Sequence, residues 1–287
     1  MAMHNNYMTE VIKNELKSEF ENQLFDACLQ NFADTENPLR LNNFAYAMRE
    51  LTRHILKRLA PDECVLQCSW YRNETQDENG ITRKQRSYYA VQGGLTDSYI
   101  NDTLELDVKA IHDNLNSAIR LLSKYTHIEQ KNFNLMNEEA DTLVADTLEA
   151  VFNFLVLIDN CREMIISNLW EQVQSSTMEE ILRETILEID ELCSHYFIDE
   201  VYTDDIRIHE INNKNVIFHA SGTIGSEMQW GSNSDLRHDI GHVARETFPF
   251  TCSLLSPIED LNIVEVMENS LVVDTEEYLY GRYERDE

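Results

Sequence analysis

Glycine and proline are scarce in this 287-residue chain, at 8 and 4 residues. So few chain breakers exclude collagen-like and low-complexity disordered classes and leave room for long regular elements. Nothing resembles a glycine-rich phosphate loop, so no nucleotide cofactor is expected. Long hydrophobic runs are missing too: none approaches the roughly 18 residues of a membrane span. The opening MAMHNNYMTEVIKNEL has no apolar signal core. The six cysteines are irregularly spaced and read as reduced thiols. A cytoplasmic location with no membrane partner is the expectation.

Positive charge is the other shortage. Lys and Arg number 23 against 52 Asp and Glu, a formal net charge of −29. A surface this acidic repels nucleic acid over most of its area and excludes a general DNA-coating role. The exception is the segment Arg40–Arg86, with nine Lys/Arg against six Asp/Glu; it carries +3 and leaves −32 for the rest. Such an island either docks on the protein's own acidic helices or focuses a phosphate or acidic partner. In the second case Arg49, Arg53, His54, Arg83 and Arg86 are the candidate binding residues.

The 43% hydrophobic content is enough for a core, and its spacing changes along the chain. Tyr7, Met8, Val11, Ile12, Leu16, Phe20, Leu24 and Cys28 recur at steps of three and four, which predicts one long first helix. A second helix carries Phe44, Met48, Leu51 and Ile55 and stops before Pro61. CVLQCSWY, from Cys64 to Tyr71, fits a strand or a buried helical turn. TRKQRSYYAVQGGL predicts a helix with Thr82 as N-cap and Gly93 as its stop. Further helices are expected over 107–125, 137–159, 161–173 and 178–197.

Near residue 200 the period falls from 3.6 to 2. IRIHEI, VIFHASGTIGSEMQWG, FPFTCSLL and NIVEVMENSLVV then predict an antiparallel sheet of about four to six strands, with Gly222 and Gly225 as strand breaks. The expected fold class is α+β: a helical domain over 1–198 followed by an antiparallel β-rich domain over 199–287.

Several groups of residues have chemistry to offer. AIRLLSKYTH, from Ala118 to His127, sets Arg120 seven residues before His127. On a continuous helix that step nearly restores register. An imidazole moves protons near neutral pH, and a guanidinium holds phosphorane charge. The other reading makes His127 a cap at a helix C-terminus. Arg49 and His54 also stand five apart, about 140° around an ideal helix. In the β region Asp204, Asp205, Glu210, Glu227, Asp235 and Asp239 offer carboxylates for a metal. Lys214 is the only lysine after residue 200, and Gln229 stands where a nuclease E-x-K element would place another. The other reading of these carboxylates is the solvated face of an acidic sheet. His238 and His242 share a face only if RHDIGH is helical, and Cys64-x3-Cys68 lacks a second pair for zinc. No metal or other cofactor is expected to be required.

Arg120-x6-His127 resembles the R-x(4–6)-H element of the HEPN ribonucleases. That resemblance implies metal-independent RNA cleavage, with the two residues catalytic and RNA as partner. A cleft for such a site forms between helices or across a homo-oligomer interface. The wider layout carries a second resemblance. LNNFAYAMRELTRHILKRLAPDECVLQCSWY, GITRKQRSYYAVQGGL, LSKYTH and ASGTIGSEMQWGSNSD with the later FPF are similar to the predicted pPIWI-associating nucleases of bacterial antiphage systems. This implies an accessory or effector role in defence, with other proteins of the system as partners and a nuclease label on the β-rich part. The reading from a different class is a non-enzymatic protein-binding or assembly module.

Overall fold

A computed structural model of the chain describes residues 2–130, 133 and 137–283. Helices α1 (Ala2–Asn14), α2 (Glu19–Ala33), α3 (Arg40–Leu59), α4 (Asp62–Leu66), α5 (Arg83–Gln92) and α6 (Val108–Tyr125) come first. The long α7 (Asn137–Arg183) and the short α8 (Leu187–Asp190) follow. The chain forms two compact units, Met1–Met164 and Ile165–Glu287, and α7 contributes to both. The fold is α+β, as the period change predicts.

The first unit is built around α3, which packs against α2, α5 and α6. Its apolar face, Phe44, Met48, Leu51 and Ile55, is buried, and so are Phe25 and Cys28 of α2 and Leu115, Ile119 and Leu122 of α6. The helix expected to run without interruption from Tyr7 is instead two. Ser18 caps α2 by accepting from the backbone N–H of Glu21 (3.1 Å), while the Glu21 carboxylate accepts from that of Lys17 (3.0 Å). Both halves keep apolar residues in helical register, so periodicity alone runs through the break.

Helix α5 has the ends its sequence predicts. Thr82 Oγ1 accepts from Gln85 N (3.2 Å) and the Gln85 side chain accepts from Thr82 N (2.8 Å), a closed capping box. Gly93, at φ 57°, ends the helix in the left-handed region. Cys64–Tyr71 starts as the single turn α4 and contains no strand.

In the second unit β1 (His195–Ile211), β2 (Asn215–Trp230) and β3 (His242–Pro257) form an antiparallel meander. The two-residue strands β4 (Glu265–Val266) and β5 (Val272–Val273) both pair with β3. The short helices α9 (Asn233–Arg237) and α10 (Glu276–Tyr283) complete the unit. The helix expected over 178–197 is broken: α7 carries its start and ends at Arg183, only Leu187–Asp190 is helical beyond that, and His195–Phe197 is strand, paired with Glu227–Gln229. Alternation on β2 and β3 buries Val216, Phe218, Ile224, Met228, Phe248, Phe250 and Leu254 on one face.

Gly222 and Gly225 lie inside an unbroken β2, not at breaks. They sit opposite irregularities of β1, where the register shifts between Ile198 and Glu200 and between Thr203 and Asp205. A Cβ on Gly222 would run into the Tyr202 carbonyl oxygen, so glycine there permits a close backbone approach. Gly222→Ala should cost about 1–3 kcal/mol, read as a lower urea midpoint.

One polar group in the first core has an unusual position. His112 of α6 is fully buried and stacks on Tyr88 (4.3 Å between ring centroids, 24° between planes). Neither ring nitrogen has a hydrogen-bond partner among the described residues. Burial holds its pKa down to about 4, against the opposing influence of Asp97 and Asp113. The unfolded chain takes up this proton near the ordinary value of 6.5 and the folded chain near 4. Stability should therefore fall as pH drops through that window. Urea titrations at stepped pH should show this slope in the wild type and a shallower one in His112→Phe.

Candidate phosphate-binding site

The basic island gathers on two helices of the first unit. Arg49, Arg53, His54 and Lys57 come from α3, and Arg83 and Arg86 from the first turns of α5. Arg53, Leu56, Lys57, Ile81, Arg83 and Arg86 line a groove of about 290 Å3. No carboxylate is among these lining residues.

The five cations around this groove divide by what holds them. Arg86 is structural as well as basic: it pairs with Asp62 (2.7 Å) and donates to the Ala60 carbonyl (2.6 Å). It thereby fastens α5 to the end of α3. Arg49 and Arg53 share one carboxylate, Glu50, at 3.2 and 2.8 Å. The Arg53 hydrogen bond dominates in holding the Glu50 carboxyl below its usual range; burial opposes this, and Arg49 adds to it. Arg83 and Lys57 have no ion-pair partner among the described residues. Burial, then the nearby Arg49 charge, hold the Arg83 guanidinium below its ordinary value, with Glu50 offsetting part. Arg49, Arg53, Lys57, Arg83 and Arg86 thus face two acids, Glu50 and Asp62. Both acids belong to the island itself; pairing with an acidic helix outside it is seen at Arg58, which meets Glu21 of α2 (2.9 Å), and around the groove the local excess stays positive.

His54 does not join Arg49. Its Nε2 lies 3.0 Å from Arg53 Nη2, and its ring meets Phe20 edge-on at 5.0 Å. A guanidinium can only donate, so in this contact the imidazole nitrogen is the acceptor. Arg49 turns elsewhere, toward Thr126 Oγ1 (3.4 Å) beyond the end of α6. Asn42 of α3 also donates to the Tyr125 carbonyl there (2.7 Å). The chain at residues 125 and 126 is therefore held beside the island, and His127 is the next residue.

Arg120 is exposed on α6, 3.4 Å from Ser117 Oγ. His127 is also exposed and lies two residues past the helix, whose last residue is Tyr125. The helix between them does not continue to the histidine.

The β-region candidates have local roles. Asp235 closes a capping box on Ser232, accepting from its N–H (2.7 Å) and hydroxyl (2.8 Å), and these bonds lower its pKa. Asp205 pairs with Arg207 (2.6 Å), and Glu227 and Asp199 both pair with Arg245 (3.3 and 3.4 Å). α9 ends at Arg237, so RHDIGH is not one helix: His238 faces the Ser234 carbonyl (2.7 Å), and His242 stacks on Trp230 (5.6 Å). Among the described residues no three His, Cys, Asp or Glu side chains converge as a metal cluster. Cys64 and Cys68 are free thiols, and burial pushes Cys68 up to about 12. A cleft of about 660 Å3 in this unit carries Glu180, Glu184, Glu188 and Glu268. Its one cation, Arg183, is already paired with Glu180 and Glu184.

Two models described as predicted pPIWI-associating nuclease match the chain, one over residues 13–151 and the other over 158–279. The chain belongs to the predicted pPIWI-associating nuclease family. The two matches cover nearly all of it, and the family name implies a partner protein. Comparison with curated proteins and with solved structures yields no match. The groove falls within the first match, as do Arg120 and His127.

Sequence reasoning passed over Lys57 as a site residue. The available signal was its place one helical turn after Arg53, on the same face of α3. Arg86→Ala should cost about 2 kcal/mol of stability, since it leaves the Ala60 carbonyl and Asp62 without their cation. Arg83→Ala should cost less than about 0.5 kcal/mol. Urea unfolding of the two variants tests this difference.

Proposed function

We propose that the protein is a ribonuclease acting as an effector or accessory in bacterial antiphage defence, with its helical unit as the RNA-holding part. The observation that carries this reading is the groove of Arg53, Lys57, Arg83 and Arg86 in a protein of net charge −29. Phosphate is the ligand class such a surface favours, and a chain with so acidic a balance repels it over most of the remaining surface. Arg49 beside Thr126 supports placing the scissile phosphate toward Arg120 and His127.

In this reading His127 takes the proton of the ribose 2′-hydroxyl. The 2′-oxygen then attacks phosphorus to close a 2′,3′-cyclic phosphate, Arg120 steadies the charge on the phosphorane, and the bond to the 5′-oxygen breaks as that oxygen takes a proton from the His127 imidazolium or from water. No step of this scheme requires a metal. The second reading, a non-enzymatic module, is favoured by the acidic cleft of the second unit, where Leu187 and Met267 are exposed. Such a surface suits a basic segment of a partner protein.

Labelled RNA and DNA incubated with purified protein, with and without EDTA, tests the two readings together. The expected result is RNA cleavage that survives EDTA and falls about a hundredfold or more in His127→Ala, with the thermal midpoint little changed. Cleavage abolished by EDTA, or unaffected by His127→Ala, contradicts the proposed site. No cleavage of either substrate favours the binding module.

A further inference from the structure

Across α5 from the basic groove lies a second opening, of about 220 Å3. Trp70 and Tyr88 supply its aromatic walls, Arg72 and Lys84 its cations, and Glu74 and Asp97 its carboxylates. Nothing in the cleavage scheme above uses it.

Each wall is held from behind. Trp70 donates its indole N–H to the Gly93 carbonyl (2.9 Å). Tyr88 is backed by the fully buried ring of His112. Asp97 accepts from the buried Gln92 side chain (2.9 Å) and so is fixed at the rim. The cations are not spent inside the protein. Arg72 donates only to the Ser69 and Tyr71 carbonyls (3.0 and 2.6 Å), and Lys84 lies over the Tyr88 ring, 5.6 Å from its centroid. Neither has a carboxylate partner among the described residues.

Aromatic walls and rim carboxylates do not suit a bare phosphate. They suit a flat, apolar-faced group whose edge carries N–H donors, and a nucleobase is such a group. The volume is below that of a drug-sized site and fits one base rather than a duplex. Position adds to the argument. Arg83 and Arg86 face the groove while Lys84 and Tyr88 face this opening, so the first turns of α5 carry phosphate-binding chemistry on one side and base-binding chemistry on the other. A single strand crossing the N-terminal end of α5 meets both.

We infer that this opening is a base-stacking subsite for single-stranded RNA, coupled across α5 to the basic groove. The inference rests on the phosphate-binding reading of that groove and adds to it the form of substrate: unpaired, with one base turned inward.

Fluorescence anisotropy with a short single-stranded RNA, an abasic strand of equal length and the matching duplex separates the two layers. The expected result is binding of the single strand roughly tenfold tighter than either other form. Trp70→Ala should erase the preference over the abasic strand and leave abasic binding unchanged. If Trp70→Ala fails to fold, Lys84→Ala and the wild-type comparison decide. Equal binding of normal and abasic strands, or tightest binding of the duplex, overturns the subsite while the groove reading stands. Binding of no strand overturns both.

Discussion

The candidate site depends on how α5 is fastened to the end of α3. Arg86 makes that joint by holding the Ala60 carbonyl and the Asp62 carboxylate at once. Proline at 61 ends α3 and leaves that carbonyl without a helical donor to follow, so a side chain from elsewhere must satisfy it. The cation that does so comes from α5, and the helix is thereby brought alongside Arg53 and Lys57. The capping box on Thr82 then fixes where α5 starts, and with it which face presents Arg83 and which presents Lys84 and Tyr88. A groove of one chemistry and an opening of another follow from one ion pair and one cap.

The protein's acidity gives that joint its significance. In a chain with more than twice as many acids as bases a cation has carboxylates within reach, and Arg58 pairs with the buried Glu21 (2.9 Å). Cations left over are costly to cluster without a counter-charge. Around α5 the excess is maintained: Glu50 serves two arginines, and Lys57, Arg72, Arg83 and Lys84 have no ion-pair partner among the described residues. Membership of a predicted nuclease family and a groove with an excess of positive charge within the first family match are independent observations, and both are consistent with the proposed phosphate-bearing ligand.

The sequence shows clearly what is decided locally. Thr82 and Gly93 bound α5 because a cap needs only its own neighbours, and alternation around Phe218 and Phe250 marks strands because each face is buried along its length. What depends on a distant partner is hidden. The break before α2 lies under a continuous apolar stripe, though Ser18-x-x-Glu21 is a legible cap signal. Gly222 reads as a break until β1 is seen to bulge opposite it. The basic island is visible as a local charge imbalance. Which of its members remain unpaired is not, because the choice rests on Glu50, Asp62 and Thr126, brought in by folding. The aromatic opening has no sequence signature, since Trp70, Tyr88 and Asp97 come together only when α5 docks.

The central claim is that the α3–α5 groove binds RNA phosphates, and salt dependence measures this most directly. For single strands the logarithm of the binding constant falls against the logarithm of salt concentration by about 0.7 per phosphate neutralised. The account predicts a slope of about −2 to −3 for the wild type. It also predicts a shallower slope, by roughly 1.4, in Lys57→Gln combined with Arg83→Gln. A wild-type slope near zero, or one the double substitution leaves unchanged, would contradict it.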